Sequence, residues 1–168
     1  MKQVQMFYDY RCPFCMEGYE KLMRLIPSYP EIEIDWRPVQ INPGPMEDLA
    51  DSDLCLSGFY ATRDLGADIQ KYHMLIYRAI FVERRYTDDV SNLSEIMADL
   101  ADSQKFGELL KSGKYIPQIM ENNELAYEKE GIWYIPSFRA GKLKLDAKGG
   151  FGVSVDELRT FFDKVMVS

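Results

Sequence analysis

The chain has 168 residues, enough for one domain with a core of its own and no need of a disulfide framework. With 46% apolar and 28% charged residues it has the composition of a globular domain, not of a disordered or fibrous chain. Its formal net charge of −7 argues against a phosphate-backbone or anionic-membrane partner, because both need clustered Lys and Arg.

The first strand is expected at Val4-Gln5-Met6-Phe7-Tyr8, a short apolar and aromatic run. It starts so close to Met1 that no charged-then-apolar leader precedes it, and the expected location is the cytoplasm. The best apolar run, Met74 to Val82, is broken by Arg78 and is too short to span a membrane. Cys12-Pro13-Phe14-Cys15 follows the first strand. From Met16 to Ile26 the apolar residues Tyr19, Leu22, Met23 and Ile26 recur with the period of an amphipathic helix. Pro27 and Pro30 mark a turn, and Glu31 to Arg37 then alternates polar with apolar, a pattern that Val39 and Ile41 continue. Asn42-Pro43-Gly44-Pro45 stops this second strand. Strand, helix, strand with these short connections suggests two parallel neighbours.

From about residue 46 to 130 no strand pattern is convincing. Apolar residues at Leu65, Ile69, Tyr72, Leu75, Ile76, Ala79, Ile80 and Val82 give helical spacing within 57–85. Shorter helices are expected at Leu93 to Leu100 and Phe106 to Leu110, capped by Ser91 and by Asp102 or Ser103. Another runs from Ile116 to Glu130, beginning beside Pro117 and ended by Gly131. Strand signals return at Gly131-Ile132-Trp133-Tyr134-Ile135 and, after Pro136, at Ser137-Phe138-Arg139. In such a strand one of Trp133 and Tyr134 faces the core and the other a groove. Ala140-Gly141-Lys142 makes a tight turn into Lys142-Leu143-Lys144-Leu145, the hairpin partner. Gly149-Gly150 breaks the pattern. Ser154 and Glu157 form a capping box for a last helix with Leu158, Phe161, Phe162 and Val165 on one face.

Two cysteines three apart at a strand-to-helix junction suit thiol chemistry. The attacking species in disulfide exchange is the thiolate, and an ordinary cysteine provides little of it at neutral pH. At a helix N-terminus, unpaired N–H groups and the helix dipole favour the anion at Cys12. Pro13 fits the first helical position, where a missing N–H costs nothing. Cys15, one turn in, is expected to be buried, protonated and placed to attack a mixed disulfide on Cys12. Pro136 inside an apolar strand pattern is anomalous. A cis Ile135–Pro136 bond resolves it and exposes main chain along a groove. The competing reading is a zinc half-site, for which only Cys55 and His73 remain as further ligands, at no zinc-motif spacing. Cys55 reads as an ordinary small side chain and His73 as a surface or partly buried packing residue. Asp9 is either a turn residue or a proton acceptor near Cys15.

A CxxC after the first strand, a helical insert after the second, and Gly131 to Phe138 before a hairpin resemble the thioredoxin superfamily. More narrowly they resemble its DsbA-like branch, with FrnE-like dithiol–disulfide isomerases and 2-hydroxychromene-2-carboxylate isomerases as relatives. The resemblance covers nearly the whole chain. It implies an α/β thioredoxin fold over residues 1–168 with a helical insertion at about 46–130. It also implies a disulfide oxidoreductase or isomerase without a bound cofactor, acting on a protein or small-thiol disulfide as a monomer or homodimer. Cys12 would be the nucleophile and Cys15 the resolving thiol, with substrate against Pro13, Phe14, Ile135 and Pro136. Asp9 stands where FrnE-like members often carry an acid. The alternative on the same fold is a glutathione-dependent transferase or isomerase, with glutathione held against Ile135-Pro136.

Overall fold

The computed structural model of the chain describes residues 1–41 and 52–168. The stop expected at Asn42 to Pro45 and the start of the insertion near residue 46 lie outside the described residues. The central strand is β1 (Lys2–Tyr8), which pairs in parallel with β2 (Ile32–Pro38), placing Val4 opposite Ile34 and Met6 opposite Trp36. Because β1 lies between β2 and the C-terminal hairpin, and is covered on both faces, Met6, Phe7 and Tyr8 are all buried. That explains a continuous apolar run where an exposed sheet would alternate. β2 is an edge strand that ends at Pro38, opposite Tyr8, the last residue of β1, and the Val39 N–H makes a final bond to Tyr8 O at 2.8 Å. The alternation expected to reach Ile41 therefore ends earlier.

Between β1 and β2 runs α1 (Pro13–Leu25), which buries Cys15, Gly18, Tyr19, Leu22 and Leu25. The insertion consists of α2 (Ser52–Asp64), α3 (Ile69–Tyr77), α4 (Val90–Ile96), α5 (Ser103–Lys111) and α6 (Ile116–Asn123). Gly66, at φ +68°, turns the chain between α2 and α3, and Asp68 caps α3. The helices α3 and α6 each widen into a π turn, at Arg78–Val82 and Glu124–Lys129. Gly131, at φ +63°, then ends the second as expected. One cap differs from expectation and one agrees with it. The cap of α4 is Asp89, whose Oδ1 accepts from the Asn92 N–H at 2.7 Å, so Ser91 lies inside the helix. The cap of α5 is Asp102.

The hairpin is β3 (Ser137–Ala140) with β4 (Leu143–Asp146), and the sheet order is β2-β1-β3-β4. Residues 131–136 are not strand, contrary to the apolar pattern. The Ile132 N–H is spent on Ala126 O, and Pro136 has no N–H, so antiparallel pairing with β1 begins at Ser137 opposite Phe7. The Ile135–Pro136 bond is cis, the resolution the sequence pattern suggested. The last helix, α7 (Val155–Val167), starts at the predicted capping box and buries Leu158, Phe161, Phe162 and Val165. This is the thioredoxin fold of the DsbA-like type with a helical insertion. One apolar core joins β1 and α1 to Leu56, Phe59, Tyr72, Ile76, Leu93 and Phe106 of the insertion.

Candidate active site

The β1-to-α1 turn delivers Cys12 to the helix start. Cys12 is itself the N-cap, with extended backbone, and its Sγ accepts from the Cys15 N–H at 3.2 Å while Pro13 opens the helix. A hydrogen bond from the Cys15 side chain lowers the Cys12 pKa most, and the backbone N–H groups of Cys15 and Phe14 add to it against the cost of burial. The Cys15 thiol is pushed well up, first by burial and then by its hydrogen bond to Cys12. So the two sulfurs differ in the sense exchange chemistry needs: a stabilised anion in front and a protonated thiol behind.

Across from α1, the Cys12 thiol lies 3.7 Å from the Ile135 carbonyl oxygen, to which it donates. The buried Pro136 ring sits on the helix at Gly18, where a Cβ would come within 2.8 Å of its Cγ. Glycine in a helix interior costs about 1 kcal/mol, and its presence three residues after Cys15 is the sequence signal for this close approach. Cys12, Pro13, Phe14 and Ile135 share an open cleft of about 300 Å³. Ile41, Tyr127, Trp133 and Tyr134 complete its lining among the described residues. Sequence reading missed Ile41 and Tyr127, which reach the cleft from the chain after β2 and from the π turn that continues α6. It misplaced Trp133 and Tyr134, neither of which enters the core: they are 88% and 54% exposed. A strand would have forced one inward, but an irregular segment does not.

Asp9 is buried directly before this turn. Its Oδ2 accepts from the Ile41 N–H at 2.9 Å and its Oδ1 from the Arg11 N–H at 3.3 Å. Burial raises its pKa to about 6 in spite of both bonds. Asp9 therefore ties the CxxC turn to the chain after β2, as a turn residue would. His73 is not at the surface. It is fully buried, its Nδ1 lies 2.9 Å from the Tyr10 hydroxyl, and Tyr8, Tyr10, Tyr19, Trp36 and Phe59 surround it. Burial lowers its pKa to about 3, so it is neutral at any ordinary pH. Cys55 is buried outside the cleft lining, and burial pushes its thiol up to about 12. Among the described residues no three His, Cys, Asp or Glu side chains converge as metal ligands would. No described helix is long and apolar enough to cross a membrane.

Comparison with known proteins agrees with this architecture. The profile of the DSBA-like thioredoxin domain matches residues 3–132. The protein YwbO of Bacillus subtilis (strain 168) is 20% identical over 183 aligned positions, which cover 88% of this chain and 90% of that one. A thioredoxin-like oxidoreductase from Silicibacter pomeroyi DSS-3 superposes with a TM-score of 0.75 at 17% identity, covering 99% of this chain and 87% of that one. The cytosolic disulfide reductase DsbM from Pseudomonas aeruginosa, solved with GSH, gives 0.73 at 16% identity, covering 99% and 100% of the two chains.

Proposed function

The chain belongs to the DSBA-like thioredoxin domain family, and on that premise we propose that it is a thiol–disulfide oxidoreductase worked by Cys12 and Cys15. One observation carries the reading: a sulfur held at a helix N-terminus in an open cleft, with a protonated, fully buried partner thiol one turn behind. The Cys12 thiolate attacks one sulfur of a substrate disulfide. An S–S bond forms to Cys12, and the other substrate sulfur leaves as a thiolate. Cys15 then gives up its proton and attacks Cys12 Sγ, closing the Cys12–Cys15 disulfide and releasing the second substrate sulfur as a thiolate. The substrate gains two electrons and the protein loses them; the reverse sequence oxidises a dithiol. If the mixed disulfide is instead attacked by another substrate thiol, the net result is isomerisation. Asp9, buried beside this turn and accepting protons near pH 6, is the group we assign to take the Cys15 proton.

Pro13, Phe14, Ile135 and Pro136 are assigned to bind the substrate chain around the reacting sulfur. The chain works as one domain over residues 1–168 with its helical insertion at about 46–130. Its setting is the cytoplasm, where thiols are kept reduced and a CxxC pair is catalytic more often than structural. Reduction of insulin by dithiothreitol, followed by turbidity, tests the proposal: wild type accelerates it and Cys12→Ser does not. Equal rates would sink it. The reduction potential of the pair, set against a glutathione buffer, then gives the direction of electron flow.

A second reading takes glutathione as co-substrate, because the similar Pseudomonas aeruginosa reductase was solved with GSH. Tight glutathione binding that Cys15→Ser leaves unchanged would favour a transferase or isomerase over disulfide exchange.

A further inference from the structure

Trp133 and Tyr134 present most of their surface to solvent from a backbone that is firmly held. Ile132 is buried and its N–H donates to Ala126 O at 3.0 Å. The Ser137 hydroxyl donates to Tyr134 O at 2.7 Å, and the Ala147 N–H to Pro136 O at 3.1 Å. Buried Arg139 grips Glu130, just before the segment, at 3.0 Å. Two rings of the cleft, those of Tyr134 and Phe14, have prepared seats. A Cβ on Gly149 would come within 2.8 Å of the Tyr134 ring, and one on Gly152 within 3.3 Å of Phe14. The glycine turn thus lets both rings lie close against its backbone, and Phe151, 79% exposed, stands on the same turn. Exposed aromatic groups on a fixed frame gain little by facing water. They lose little freedom when something apolar covers them, which is the physical mark of a binding surface.

Charge decides what covers them. No Lys, Arg or His lines the cleft among the described residues, and the whole chain carries −7. Glutathione disulfide brings several carboxylates and no apolar side chain. It meets neither a cationic clamp nor a use for the rings.

We infer that the preferred substrate is a disulfide in an extended polypeptide whose cysteine is flanked by aromatic or aliphatic side chains, with Trp133 and Tyr134 setting that preference over glutathione disulfide. This rests on the reading of Cys12 as the exchanging thiol and adds no step to it: Cys12 still bonds one substrate sulfur while the other leaves as a thiolate.

The test is single-turnover oxidation of the reduced protein by three probes, followed by mass spectrometry. These are glutathione disulfide and the symmetrical disulfides of two blocked peptides, one with Leu-Cys-Phe and one with Ser-Cys-Ser at its centre. Wild type is expected to react about tenfold faster with the Leu-Cys-Phe disulfide than with either other probe, the worth of one or two good aromatic contacts. Trp133→Ala and Tyr134→Ala each bring that ratio down to about threefold or less, and matching melting curves establish that the variants are folded. As a readout apart from turnover, the tryptophan emission of Cys12→Ser protein shifts to the blue with reduced Leu-Cys-Phe peptide and not with glutathione. The shift is lost when Trp133→Ala is added, which assigns it to Trp133 rather than Trp36. Equal wild-type rates with all three probes would overturn this inference and leave the exchange reading standing, as would variants that keep the wild-type ratio. No reaction with any probe would remove both.

Discussion

Replacing Asp9 with Asn changes how stability depends on pH, and the sign follows from burial. The carboxyl is 1% exposed, and its pKa rises from 3.8 to about 6 on folding. Between those values the folded protein keeps a proton that the unfolded chain has lost. The contribution of this group is therefore fully present below pH 3.8 and is lost as pH rises through about 6. A gap of about two pH units is worth about 3 kcal/mol. His73 works in the opposite sense, because burial lowers its pKa from 6.5 to about 3. Its charging in the unfolded chain favours unfolding at low pH, and stability returns as pH climbs towards 6.5. Over the shared range the two slopes oppose each other, so the wild-type profile alone tells little. The difference between wild type and Asp9→Asn isolates the carboxyl, since His73 is common to both. Asn can accept from only one of the Arg11 and Ile41 N–H groups with its oxygen. That loss of about 1–3 kcal/mol is nearly constant with pH and drops out of the comparison. Urea unfolding of both proteins at pH 4 and pH 7.5 measures the effect. Asp9→Asn is expected to gain about 2 kcal/mol on wild type between the two pH values, because at pH 4 the unfolded carboxyl has already begun to ionise. A difference that stays constant to within about 0.5 kcal/mol would refute the argument.

Further outcomes follow from the same structure. Iodoacetamide should label Cys12 in native reduced protein below the pH at which an ordinary cysteine reacts, leaving Cys15 and Cys55 untouched until denaturation. Peptide mapping checks this, and native labelling of Cys55 would contradict it. Cys15→Ala should move the pH midpoint of Cys12 alkylation upward, because it removes the hydrogen bond that lowers the Cys12 pKa most. An unchanged midpoint would place the cause elsewhere. Gly58→Ala drives a Cβ into the Tyr72 hydroxyl, which donates to Cys55 O at 2.5 Å. Overpacking of this kind costs about 1–3 kcal/mol, so the urea midpoint should fall, and an undiminished midpoint would show that α2 and α3 are not packed this closely.

Much of the fold was legible because its signals are local. The apolar run before Cys12, the amphipathic period after it and the capping box at Ser154 each depend on neighbours a few residues away. The cis Ile135–Pro136 bond was legible for a different reason: a proline in an apolar run leaves few ways to continue. Residues 131–135 misled because periodicity records which residues are apolar, not which backbone groups are already engaged. Once Ile132 N–H bonds Ala126 O, the segment cannot pair, and Trp133 and Tyr134 face outward. His73 misled for a related reason. Its helix position gave no hint that five aromatic rings from distant segments close around it.

By itself the sequence determined the order of elements, the helix-start position of Cys12 and the proline that faces it, because capping, periodicity and ring constraints act over one or two turns of chain. Tertiary structure alone decided which groups surround the sulfur. Ile41, Tyr127, Trp133 and Tyr134 reach one cleft only after segments from opposite ends of the insertion are brought together. Asp9 acquires its raised pKa only through burial in the folded chain, against the opposing pull of the Ile41 and Arg11 N–H groups. Burial and long-range contact are properties of the folded chain as a whole, and the chemistry expected of Cys12 and Cys15 is set by both.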